Sequence, residues 1–226
     1  QSARDPALAY AAVIRRHLDA ALAAEDLPSR RTHLLYRATI QHGRREGDLA
    51  RAARFAEEAV AEATTPFDEA WARNGRAYLT FRGGDLAASI RDTCAALACF
   101  ARRDVGGPRG ERLGSEIGLT SNLARLLVEA GDLRGASRVA ARAAEGERAL
   151  AGVSFHGAPF CARIEAMAGR WTRVRVWATR LAREAEAHAL PGLTADAHAL
   201  LGEAYESARS FERAMSAWAR VRAVRS

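Results

Sequence analysis

The chain has 226 residues, 49% of them hydrophobic, enough for one substantial domain or for several stacked repeats. Its 34 basic residues outnumber 27 acidic ones, giving a formal charge of +7, and every basic residue is Arg. With no Lys anywhere, a phosphate-loop nucleotide site and a pyridoxal Schiff base are both excluded. No apolar run reaches the length of a membrane span, and no secretory signal opens the chain.

Heavy use of Ala, Arg and Gly without Lys also matches a GC-rich coding sequence, so net charge by itself says little about partners. Cys94, Cys99 and Cys161 follow neither a disulfide framework nor a paired zinc spacing, and read as small core residues of a reducing compartment. The expected location is therefore cytoplasmic. Gln1 is not an initiator, so the chain reads as part of a longer protein.

In chain order, Asp5-Pro6 predicts a helix start, with Tyr10, Val13, Ile14, Leu18 and Leu22 on its apolar face, and Pro28 after its end. Ser29 is the expected cap of a second helix carrying Leu34, Leu35 and Ala38 inward. Gly47-Asp48-Leu49 then gives a turn, a cap and a new buried face. That signal returns at Gly84 and Gly131, and as a variant at Gly169-Arg170-Trp171. The glycines lie 37, 47 and 38 residues apart, the long interval being assigned to a loop at 104–110. Thr65-Pro66 opens a helix with Trp71, Gly75 and Tyr78 in large-small-large order. Leu123, Ala124, Leu127, Gly131, Leu133, Ala136, Ala140 and Ala143 follow one period, while the fourth unit, with Ala162, Gly169 and Trp171, begins on a short helix after Gly157 and Pro159.

The plan is clearest from Leu193 to Val221, where Leu201, Gly202, Tyr205, Phe211, Ala214 and Trp218 alternate small and large residues at helical spacing. This order resembles the tetratricopeptide repeat, a helix-turn-helix unit of about 34 residues. The resemblance implies an all-α, right-handed solenoid and a scaffold that binds proteins or peptides, not an enzyme. We expect one domain over 1–226, made of an N-terminal helix (1–28) and five hairpins at 29–64, 65–103, 111–151, 155–190 and 193–226. Units of this length are similar to those of bacterial signalling proteins, such as large LuxR-type ATP-dependent regulators and some Ser/Thr kinases. Adjacent domains of a longer chain are thus possible partners.

The candidate binding residues are arginines. Arg76 follows Gly75, Arg125 follows Ala124 and Arg163 follows Ala162, and in tetratricopeptide folds the place after the small packing residue looks into the concave groove. The resemblance would line these guanidinium groups along one surface, joined by Arg73 and Asn122, and by Arg37, Gln41 and Arg44 in the first unit. Such a row suits an acidic or extended segment, because each planar fork takes a carboxylate bidentately. In the last unit Glu203 stands at the matching place.

Other readings compete with this one. Arg209, Arg213, Arg220, Arg222 and Arg225 invite nucleic acid, but the arginines are spread over every helix and interleaved with Glu, which disfavours it. His156 and Cys161 flank the irregular fourth unit, where a small-molecule receptor or an enzyme would place its pocket. None of the six histidines pairs at the i, i+4 spacing, so neither a metal nor a cofactor is expected. Trp71, Trp171 and Trp218 read as packing residues, and Trp177 as the tryptophan most free to be exposed.

Overall fold

A computed structural model describes residues 6–102 and 106–225. Among the described residues there are eleven α-helices and no strand: α1 (Pro6–Ala24), α2 (Pro28–Ile40), α3 (Leu49–Glu62), α4 (Pro66–Arg82), α5 (Leu86–Cys99), α6 (Arg109–Glu129), α7 (Leu133–Ala151), α8 (Gly157–Met167), α9 (Trp171–Ala187), α10 (Pro191–Ser207) and α11 (Phe211–Arg225). The class is all α. The chain divides into two compact units, Gln1–Arg112 and Leu113–Ser226, the division falling inside α6.

The turns explain why helices come in pairs. Gly47, Gly84, Gly131 and Gly169 all take the left-handed conformation, with φ between 69° and 87°, which costs glycine nothing. After three of them Asp48, Asp85 and Asp132 cap α3, α5 and α7 by accepting the N–H of Arg51, Ala88 and Gly135 at 2.8–2.9 Å. The backbone closes each turn the same way: Asp85 N–H reaches Thr80 O, Asp132 reaches Leu127, Arg170 reaches Glu165 and Ser210 reaches Tyr205. In the last hairpin Arg209 holds the left-handed place that glycine holds elsewhere.

The first hairpin carries one residue more. After Ile40 the chain continues in π-helical turns over Gln41–Glu46, and Asp48 N–H reaches back to His42 O, six residues instead of five.

Packing rests on small side chains. In the first unit Leu22, Leu35, Ala38, Ala59 and Ala72 form one buried cluster and Ala52, Ala56 and Leu79 another, with Tyr78 against the second. In the second unit Ala124, Ala136, Ala140, Cys161 and Ile164 join α6, α7 and α8. Ala162, Val174, Ala178, Leu200, Leu201, Ala204 and Ala217 then join α8 to α11. Alanine at so many contacts lets helix axes approach closely. The limit is reached at Gly157, where an added Cβ would lie 2.6 Å from the Ala144 backbone.

Several local expectations are corrected. Ser29 lies within α2 and hydrogen-bonds Asp68 at 2.8 Å; Leu27 occupies the cap position. Phe211 is 64% exposed, because it opens α11 and its side chain points back off the helix pair; Ala214 and Trp218, the latter against Gly202, do the packing. Val13 is exposed on α1. Trp177 packs into the second unit beneath the Arg148 guanidinium, 5.4 Å from its ring centre, and its neighbour Val176 is the exposed residue. α6 already begins at Arg109, so the long interval between turns comes as much from a 21-residue helix as from a loop. Asp5, Asp104, Val105 and the side chains of Tyr10 and Arg225 lie outside the described residues.

Candidate functional site

A common register for the last four hairpins follows from the turns. The left-handed residue lies seven places after Ala77, Ala124, Ala162 and Gly202. All four are buried on the first helix of their pair, and Ala77 faces α5, where Ser89 donates to its carbonyl at 2.7 Å. Gly75 faces the other way: a Cβ there would meet Tyr36 and Thr39 of α2 at 3.2–3.5 Å. The residue after the small packing residue is therefore Tyr78 in α4, Arg125 in α6, Arg163 in α8 and Glu203 in α10. Arg76 sits two places earlier and does not share the register of the other two arginines.

Surroundings separate these arginines further. In the first unit Arg76 forms a double hydrogen bond with Asp92 of α5, at 2.6 and 3.0 Å, and lies 3.5 Å from Glu57 of α3. Arg73 is paired with Glu69 one turn back at 2.8 Å. Arg37 is exposed and donates to His33 at 3.3 Å, and Arg44 is exposed on the π-helical segment. Gln41 is buried at the start of that segment, and its amide nitrogen finds no partner among the described residues. In the second unit Arg125 and Arg163 are exposed, and neither forms an ion pair with an acidic side chain among the described residues. Arg125 lies over the ring of Phe160, 5.9 Å from its centre, while Asn122 is half-buried one turn earlier.

An aromatic group locks α2 to α4. Trp71 is ringed by His33, Tyr36 and Phe67 at 5.5, 4.7 and 6.4 Å, and Asn74 donates to the Tyr36 hydroxyl at 3.3 Å. Burial, and then the charge of Arg37, push the His33 pKa below its ordinary 6.5, so the ring is neutral at pH 7.

His156 and Cys161 occupy opposite environments. The His156 side chain is 79% exposed beside Glu147, whereas Cys161 is fully buried. Burial pushes the Cys161 thiol up to about 12, which removes the thiolate a nucleophile needs. His42 is buried and stacked on Phe55, and His198 is buried against Glu186. Among the described residues no three His, Cys, Asp or Glu side chains converge as metal ligands, and no helix is long and apolar enough to cross a membrane. Of the C-terminal arginines, Arg213 lies over Tyr205 and Arg220 meets Glu186 at 3.5 Å, so they do not form one bare basic face.

Sequence reasoning missed Glu165. This residue of α8 is almost fully buried and receives the Ser137 hydroxyl and the Arg170 guanidinium, with Arg173 at 3.5 Å. Burial pushes its carboxyl up, but these hydrogen bonds and the two arginine charges together hold it below the ordinary value, so it is ionised. The signal was visible: Arg170 stands where the first three hairpins have a capping Asp.

No protein-family model and no curated protein matches this chain. Solved structures do. BtubC (BKLC) from P. vanneervenii superposes with a TM-score of 0.74 at 15% identity, covering 100% of this chain and 92% of the other. The nearly identical TPR-like repeats of a putative kinesin light chain from Podosopora anserina give 0.68 at 16% identity, covering 89% and 97%. A single-substitution variant of the latter gives 0.67 at 15% identity, covering 88% and 96%. The fold is that of TPR-like helical repeats.

Proposed function

We propose that this chain is a protein-interaction scaffold whose second unit captures an acidic, extended segment through Arg125 and Arg163. The observation that carries the reading is their shared register. Each follows a buried alanine on the first helix of its hairpin, α6 and then α8, and each keeps its fork free of acidic partners among the described residues. Repeat folds present such first-helix positions side by side, and an unpaired guanidinium is held ready for a carboxylate. Glu203 at the same place on α10 sets a polarity, so the segment would be acidic opposite α6 and α8 and basic opposite α10. Phe160, beneath Arg125, offers an apolar contact beside that charge. Occupancy would report to neighbouring domains of a bacterial signalling or regulatory protein in the cytoplasm, the context in which repeats of this length are expected.

The test is selection from a displayed peptide library. The native protein should enrich segments with Asp or Glu spaced along an extended backbone, and R125E/R163E should enrich none of them while keeping its helicity. Enrichment without acidic residues, or acidic enrichment that survives R125E/R163E, overturns the reading.

A further inference from the structure

We propose that the second unit holds a separate site for a phosphoryl group, in the pocket between the first turns of α7 and α9. The pocket has a volume of about 360 Å³ and is lined by Arg134, Ser137, Arg138, Arg170 and Arg173. That is within the range of small-ligand sites. Four arginines line it, and among the described residues Glu165 is the one carboxylate paired with any of them, through Arg170 and Arg173. Arg134 and Arg138, one turn apart on the exposed side of α7, have no ion pair among the described residues. The site thus has a surplus of positive charge that the described residues do not neutralise.

Two further observations point to an anion. The Nη2 of Arg170 is buried and makes no hydrogen bond among the described residues, although the same guanidinium is anchored on Glu165 through Nε. A buried charged donor left without a partner is costly. The first turn of α9 also lacks a side-chain cap, because Arg170 replaces the aspartate that caps α3, α5 and α7. Of its N–H groups, those of Arg173 and Val174 donate to Arg170 O at 2.9 and 3.2 Å, which leaves Trp171 and Thr172 as the open donors of the turn beside the surface of Gly169, Arg170, Trp171, Thr172 and Arg173.

The charge chooses the class of anion. A lone carboxylate occupies one fork and leaves the surplus standing. A phosphate ester or a diphosphate brings two or more negative charges and enough oxygens to engage several forks at once. Ser137 adds no further donor, since its hydroxyl is committed to Glu165. Arg170 is the fixed member, Arg173 lies 3.5 Å from Glu165, and Arg134 and Arg138 are exposed and free to close over the ligand. The site is built without Arg125 or Arg163, so it stands or falls apart from the acidic-segment reading.

The experiment is calorimetric titration of the purified chain with sodium pyrophosphate, inorganic phosphate and acetate at fixed ionic strength. Pyrophosphate should bind more tightly than phosphate, and acetate should give no saturable heat. Arg134 and Arg138 support no core contact, so R134Q/R138Q should melt like the native protein and weaken pyrophosphate binding about tenfold or more, the loss of at least one charge-assisted contact. R220Q/R222Q removes equal charge elsewhere and should leave the affinity unchanged. A phosphoserine peptide and its unphosphorylated form assign the source: tighter binding of the phosphopeptide than of phosphate marks a protein-borne phosphoryl group, the reverse a free one. No saturable binding of pyrophosphate overturns the proposal, as does equal weakening by both double variants.

Discussion

Arg76 and Asp92 close two hydrogen bonds, at 2.6 and 3.0 Å, between the two helices of the second hairpin, and Glu57 of the preceding hairpin reaches the same guanidinium at 3.5 Å. Three helices therefore share one charge, with Asp92 largely buried at their meeting point. An arginine that sequence spacing would place in a ligand row is a tie within the first unit.

Charge reversal should separate the two kinds of arginine. Arg76→Glu sets three carboxylates together and should cost about 2 kcal/mol through the lost charge-assisted bonds. Arg125→Glu and Arg163→Glu, on open surface, should each cost about 0.5 kcal/mol or less. Thermal unfolding of the three single variants checks this. A native-like melting temperature for Arg76→Glu would show that the tie contributes nothing.

The glycines sort in the same physical way, by what a methyl group would meet. Gly157→Ala forces a Cβ against the Ala144 backbone at 2.6 Å and should destabilise by about 2 kcal/mol, since two helices must separate. Gly114→Ala and Gly118→Ala meet nothing within 4 Å on α6 and should each stabilise by about 0.5–1 kcal/mol through helix propensity alone. Denaturant titrations should show the midpoints moving in opposite directions. A destabilised Gly118→Ala would mean that this face of α6 is covered by something further.

Thiol chemistry tests the burial of α8. At pH 8 a thiol with a pKa of about 12 is ionised to roughly one part in ten thousand, and Cys161 is also out of reach of a reagent. Cys94 is exposed and Cys99 buried. A chromogenic disulfide reagent should therefore consume one thiol per native chain and three after denaturation. Modification of Cys161 in the native state would contradict the packing of α8 between α7 and α9.

The helical hairpins were legible because their causes are local. A Gly that tolerates positive φ, an Asp that caps the next residue's helix and apolar residues three or four apart act within one or two turns, and each can be read along the chain. Gly202 against Trp218 belongs to the same kind of evidence. Where the local code was ambiguous, the reading slipped. Gly75 and Ala77 are both small, and either could have been the contact with the partner helix; only the placement of α2 against one and α5 against the other decided that Arg76 leaves the row.

By itself, then, the order of residues determined the all-α class and the turns at Gly47, Gly84, Gly131 and Gly169, since those depend on dihedral preference and periodicity over short spans. Tertiary structure alone decided which arginines are free. Asp92 answers Arg76 from 16 residues away, and Glu165 gathers Arg170 and Arg173 at a pocket that Arg134 and Arg138 enter from a different helix. Charge is neutralised through space, and the partner that neutralises it is chosen by how helices dock.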